Sequence, residues 1–117
     1  MHNELPNISY GEFILWIFRR RRRFRITGNS MQPLLQPEEE ILINPFAYQK
    51  VSPQINDLVV AMHPDKKDLE IVKRISHITK EGEFFLLGDN LNHSTDSRNF
   101  GAIPLKNIIG KVTTRFS

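Results

Sequence analysis

A lysine set among isoleucines and a serine held between a glycine and a proline are the two residues of this chain whose types suit chemistry. In Leu69-Glu70-Ile71-Val72-Lys73-Arg74-Ile75-Ser76, strand alternation puts Ile71, Lys73 and Ile75 on one face and Val72, Arg74 and Ser76 on the other. Burial on an apolar face strips water from an ammonium and so favours the neutral amine. An ordinary lysine, with a pKa of about 10.4, is neutral at pH 7 in roughly one molecule in a few thousand. A desolvated one can take a proton from a hydroxyl. The stretch alone also suits an edge-strand lysine whose stem packs while its head reaches water.

The hydroxyl is offered by Thr27-Gly28-Asn29-Ser30-Met31-Gln32-Pro33. Glycine permits backbone angles that other residues resist, and proline stiffens the exit. A serine in so tight a turn can present its Oγ outward and its own N–H toward a carbonyl, as acyl transfer requires. Most serines in such contexts merely complete a turn. A third segment, Gly88-Asp89-Asn90 followed by Ser94-Thr95-Asp96-Ser97-Arg98-Asn99-Phe100-Gly101, is rich in hydrogen-bonding side chains. It reads either as a solvated loop or as a long functional loop on a small scaffold.

The elements that must hold these segments are mostly strands. Residues 41–43, 57–62, 69–78, 83–87 and 108–116 are short runs rich in β-branched or aromatic residues. Turn signals separate them, among them Gln36-Pro37, Ser52-Pro53 and His63-Pro64-Asp65. Lys80-Glu81-Gly82 suits a hairpin. Only residues 8–19 could hold a helix of any length. The expected architecture is a mainly β, compact domain over residues 25–117 with an N-terminal apolar and basic arm over residues 1–24.

In order along the chain, the three segments resemble the signatures of the type I signal peptidase superfamily. Gly28-Asn29-Ser30-Met31-Gln32-Pro33-Leu34-Leu35 is similar to its serine box, and Ile71-Val72-Lys73-Arg74-Ile75 to its lysine box. Gly88-Asp89-Asn90 with Ser94-Thr95-Asp96-Ser97-Arg98 is similar to its third signature. The resemblance implies the β domain shared by signal peptidases and repressor proteases, and a serine endopeptidase with a Ser/Lys dyad. Ser30 would be the nucleophile and Lys73 the general base. The Ser30 backbone N–H would supply one oxyanion donor. Some relatives carry a hydroxyl two positions before the nucleophile as a second donor; Gly28 stands there in this chain. Ser94 matches the serine that orients the lysine, and the pairs Arg74–Asp89 and Asp96–Arg98 match supporting ion pairs. No cofactor or metal is implied.

Within that superfamily the chain looks most like the proteases that mature nickel-type superoxide dismutase. It is short, has no large insertion between the second and third boxes, and carries His63-Pro64 before the lysine strand. The implied partner is a nickel superoxide dismutase precursor, whose cleaved leader exposes the histidine that binds nickel. Two departures stand out. Where the family usually has Pro-Gly-Asp this chain has Pro37-Glu38-Glu39, and where it usually has Gly-Asp it has Asn56-Asp57.

Composition bounds the alternatives. The chain has 117 residues, 39% of them hydrophobic and 25% charged, and no cysteine, which fits one folded domain and excludes disulfides and thiolate chemistry. Six arginines, Arg19 to Arg23 and Arg25, face Glu4 and Glu12 in the first 25 residues, so the net charge of +3 belongs to the arm. The adjoining apolar run, Phe13 to Phe18, is far short of the roughly 20 residues that span a bilayer. A cytoplasmic location is expected, with the arm either packed on the domain or lying on a membrane surface through Trp16 and the arginines. Nucleic acid is not the expected partner, since no reading helix accompanies the arginines. A general or organellar-type signal peptidase acting at a membrane is a second reading. A self-cleaving repressor would need a DNA-reading domain before Ser30. From a different class comes a non-catalytic β module whose basic arm docks phosphate or lipid. His2, His63, His77 and His93 show no metal-ligand spacing.

Overall fold

The computed structural model describes residues 5–116, and residues 1–4, which include His2 and Glu4, and Ser117 lie outside it. Among the described residues six strands form one antiparallel sheet: β1 (Arg22–Arg25), β2 (Glu40–Asn44), β3 (Leu58–Met62), β4 (Glu70–Ile78), β5 (Phe84–Leu87) and β6 (Ile108–Arg115). Their spatial order is β1-β2-β6-β3-β4-β5. The fold is therefore mainly β, as the strand signals imply. Helix α1 (Tyr10–Ile17) precedes the sheet, and the single-turn helix α2 (Ser97–Phe100) follows β5.

β3 explains why this sheet carries apolar side chains on both faces. Its Leu58-Val59-Val60-Ala61 run is buried throughout, as expected of a strand covered on two sides. Leu58 and Val60 pack with Ile26, Met31, Leu35, Ile41, Ile43, Val72 and Val112. Val59 and Ala61 pack with Ile75, Phe84, Leu86 and Ile103, with Ile71 alongside. β4 lies beside β3, pairing Lys73 with Val59 and Val72 with Val60. A register shift between Ile75 and His77 in the β4–β5 ladder ends the strict alternation, and His77 and Ile78 emerge into solvent.

The N-terminal segment is more ordered than a basic run suggests. Arg22–Arg25 form an edge strand on β2, so this part of the arm is packed on the domain. Carboxylates make this tolerable. Arg22 pairs with Glu70, Arg23 and Arg25 with Glu40, and Arg25 also with Glu38. The Glu40 carboxyl is held below its ordinary pKa, chiefly by its hydrogen bond from Arg23. Ser9 caps α1, accepting from the Glu12 N–H, and Glu12 accepts from Arg21 and from the Thr113 hydroxyl of β6. Among the described residues no helix is long and apolar enough to cross a membrane.

Both glycine departures fall where the backbone is left-handed. Glu38 has φ 72° and Asn56 has φ 78°, a region that costs a residue with a Cβ roughly 1–2 kcal/mol. Asparagine tolerates it better than glutamate does.

Candidate active site

Three segments meet at the cleft between β1 and β4. The first is the turn between β1 and β2. Gly28 has φ 80° with open space where a Cβ would sit, so its conformation rather than crowding favours glycine. Beyond it the chain dives inward: Met31, Leu34 and Leu35 are all buried in the first core cluster. Ser30 is thus the last residue before the anchor and stays half-buried at the lip. Its own N–H donates no hydrogen bond among the described residues.

The second segment is β4. Lys73 is 4% exposed, although its strand neighbour Arg74 is half-buried and ion-paired. Burial pulls the Lys73 amine down from 10.5 to about 8; the nearby Asp96 charge opposes this and Arg98 assists it. The amine donates to Ser94 Oγ at 2.9 Å, and not to Ser30. Ser30 and Lys73 nevertheless line one cleft of about 230 Å³, with Phe24, Ile71, His93 and Thr95 around them. Apo contacts between a hydroxyl and its base are often long and tighten when substrate binds.

The third segment, read above as either a solvated loop or a functional one, folds against the other two. Asp96 and Ser97 are buried. Asp96 caps α2 by accepting from the Arg98 N–H, while its own N–H donates to the Asn99 side chain, a capping box. The Asp96 carboxylate also accepts from the Ser94 hydroxyl at 2.9 Å, the Gly88 N–H at 3.0 Å and Arg98 Nε at 2.9 Å. Burial alone would raise the Asp96 pKa, but these donors, Arg98 foremost, hold it below the ordinary carboxylate value. Because Ser94 gives its proton to Asp96, its oxygen faces Lys73 as an acceptor. Ser97 accepts from the Leu86 N–H and ties the loop to β5.

The same loop grips the serine turn. The Asn90 N–H donates to Ser30 O at 2.8 Å, and Asn90 Nδ2 to Asn29 O at 3.0 Å. Arg74 meets Asp89 through two parallel hydrogen bonds of 2.9 and 3.0 Å, the strong form of an arginine–carboxylate pair. Gly88 sits where a Cβ would lie 2.2 Å from Ser94 Oγ and 2.7 Å from Ser30 O. Only a residue without a side chain lets the two segments approach this closely.

Of the residues singled out in the sequence, Ser30 and Lys73 line the cleft, Ser94, Asp96 and Arg98 form a hydrogen-bonded network that meets Lys73, and Arg74 pairs with Asp89 on the other side of β4. Sequence reasoning missed the clamp by Asn90, the close packing at Gly88 and the burial of Asp96. The Gly-Asp-Asn run directly after a strand was the available signal for the first two. Of the histidines, His63 accepts from the Asp65 and Lys66 N–H groups through Nδ1 and packs on Phe100, a turn-stabilising role. His77 stacks on Phe85. His93 lines the cleft.

Comparison with known proteins agrees with this architecture. The family model described as signal peptidase, peptidase S26, matches residues 10–78 and 76–117. The mitochondrial inner membrane protease subunit 1 of Xenopus tropicalis is 31% identical over 108 residues, covering 76% of this chain and 65% of that protein. Signal peptidase I V of Bacillus subtilis is 26% identical over 140 residues, 77% of this chain and 82% of its own length. Signal peptidase I of Haemophilus influenzae is 50% identical over 97 residues, 79% of this chain but 26% of that protein. This chain therefore spans just under two thirds of the frog relative and about a quarter of the last. It belongs to the signal peptidase family, peptidase S26.

Proposed function

We propose that this protein is a serine endopeptidase that removes an N-terminal leader from a precursor protein, with Ser30 as nucleophile and Lys73 as general base. The observation that carries the reading is a lysine 4% exposed, its pKa lowered to about 8, in the same cleft as a serine at the tip of a rigid turn. In the reaction Lys73 Nζ takes the Ser30 hydroxyl proton as Oγ attacks the scissile carbonyl, and the C–O bond forms. The tetrahedral oxyanion accepts from the Ser30 N–H. Collapse breaks the C–N bond, and the lysine proton passes to the leaving amine. Water then hydrolyses the acyl-enzyme by the same path, deprotonated by Lys73. Ser94 and Asp96 would orient the amine, while Arg74–Asp89 and Arg98 would brace the loop that does so.

For the substrate we favour the nickel superoxide dismutase precursor, processed in the cytoplasm. Support comes from the tight β4–β5 hairpin, with no insertion between the lysine strand and the third segment, and from His63-Pro64 before that strand. The runner-up is a signal peptidase substrate at a membrane, the activity named for the bacterial relatives. Purified protein and its Ser30→Ala variant, incubated separately with each precursor, discriminate between them. New N-termini read by mass spectrometry should appear only with Ser30 present, and on the dismutase precursor. Cleavage by the alanine variant would overturn the dyad. Cleavage of the secretory precursor alone would overturn the substrate.

A further inference from the structure

The cleft ends on an ion pair that the chemistry does not use. Glu70 lines the cleft, as Lys73 further along β4 does, whereas Arg22 lies outside it in an open hollow with Trp16, Arg19, Arg21 and Arg23. The two side chains meet across the mouth, Arg22 from β1 and Glu70 from β4. Their strands are not neighbours, because β2, β6 and β3 stand between them in the sheet. Side chains alone make the contact, and opening it breaks no strand ladder.

The backbone beside Glu70 is open as well. β3 holds one edge of β4 from Glu70 to Arg74, but β5 takes the other edge only from Arg74 onward. Residues 70–73, all of which line the cleft, thus keep one edge free of strand partners, and an extended peptide can lie along it. Phe24, Ile26, Ile71 and Val72 wall the cleft on the Glu70 side of the dyad. A leader can stay extended in so narrow a channel, whereas the mature portion carries a domain that cannot enter. With the attacked residue level with Lys73, both chains advance about 3.3 Å per residue. The fourth leader residue before the cut, counting the attacked one as the first, is then level with Glu70, about 10 Å from the dyad. Residues directly opposite on neighbouring strands share a face, so its side chain meets the Glu70 carboxylate.

We propose that Glu70 reads the charge of that fourth leader residue, accepting lysine or arginine and rejecting aspartate or glutamate, with Arg22 as the counterion that the substrate displaces. This specificity rests on the peptidase reading above. Exposure sets the exchange. The Arg22 side chain is 44% exposed and regains water when displaced, whereas Glu70 is 24% exposed and has less room to retreat. A substrate lysine therefore exchanges one ion pair for another. A substrate glutamate meets a like charge with only Arg22 to offset it.

Three fluorescein-labelled peptides spanning the leader junction of the nickel superoxide dismutase precursor, with Lys, Gln or Glu as the fourth residue before the cut, test this. Affinity is read by fluorescence anisotropy on the Ser30→Ala chain, and kcat/KM on the chain with Ser30 intact. Lysine should be favoured over glutamate about threefold in both, as a partly exposed ion pair allows. In Arg22→Gln the preference should widen to about tenfold, since the competing cation is gone; in Glu70→Gln it should vanish or invert. Both substitutions break the same ion pair, so a merely structural effect would move them in the same direction. A preference that survives Glu70→Gln, that narrows in Arg22→Gln, or that appears only for charges placed after the cut overturns the proposal, as does binding to none of the three peptides. Peptides bound in the expected order but never cut would sink the peptidase reading and leave the charge reading standing; peptides cut at equal rates would do the reverse.

Discussion

Replacing Lys73 with methionine separates the cost of burying its amine from the use made of it. The fall from 10.5 to about 8 corresponds to about 3 kcal/mol in favour of the neutral form. Its sign follows from which state holds the proton. Below pH 8 the folded and unfolded chains both carry the ammonium, and the fold bears the whole penalty. Between pH 8 and 10.5 the folded chain releases its proton first and the penalty fades; above 10.5 both states are neutral and it is gone. Methionine has nearly the same length and nothing to titrate. At pH 7 it relieves about 3 kcal/mol but forfeits the hydrogen bond to Ser94, a charged donor worth about 1.5–3 kcal/mol. A net gain of about 1 kcal/mol remains, or about 3–6 °C in Tm for a chain of this size. Thermal unfolding of both proteins at pH 7, 8, 9 and 10 measures the difference, and global alkaline effects cancel in the comparison. The variant should be the more stable at pH 7, lose that advantage as pH rises through 8 to 10, and cleave nothing. A less stable variant at neutral pH, or a difference flat across the series, would refute the claim that Lys73 is held against its charge.

If Lys73 is the base, kcat/KM should rise about tenfold from pH 6 to 7 and level off above pH 8 to 9, following an amine of pKa about 8; a profile flat from pH 6 to 8 would refute it. Gly88→Ala should cost about 1–3 kcal/mol in urea unfolding and lower kcat about 100-fold, because the added methyl collides with Ser94 Oγ and Ser30 O together. Glu38→Gly should raise stability in the same urea assay by about 0.5–1 kcal/mol, the relief of a left-handed glutamate less the added freedom of unfolded glycine. Its pairing with Arg25 is largely exposed and offsets little of that gain. Asn56→Gly should gain less.

What the sequence displayed well was anything carried by short-range pattern. Unbroken apolar character marks the twice-covered strand, Leu58-Val59-Val60-Ala61, and Lys80-Glu81-Gly82 marks the turn between β4 and β5. The lysine's burial could be anticipated from Ile71 and Ile75, which both join the second core cluster. Strand β1 could not, because four residues holding three arginines offer no apolar signal. Its partners Glu38, Glu40 and Glu70 lie 13 to 48 residues away in the chain, and only the closed sheet brings them near. Asp96 escaped for a related reason. A carboxylate in a polar run looks solvated until the donors of Gly88, Ser94 and Arg98 are found to surround it.

That encirclement explains how a lysine can lie close to a carboxylate and still be inclined to lose its proton. An unpaired anion at the position of Asp96 would stabilise the ammonium and restore the high pKa that burial removes. Arg98 takes the Asp96 charge through Nε at 2.9 Å and its second nitrogen at 3.1 Å, so Lys73 faces a pair with little net charge. Arg74 and Asp89 offset one another in the same way on the other side of β4. What reaches the amine directly is a neutral hydroxyl, that of Ser94, already giving its proton to Asp96. Desolvation is then the largest influence left. The ion pairs around the cleft act less as glue than as a means of withholding negative charge from one nitrogen.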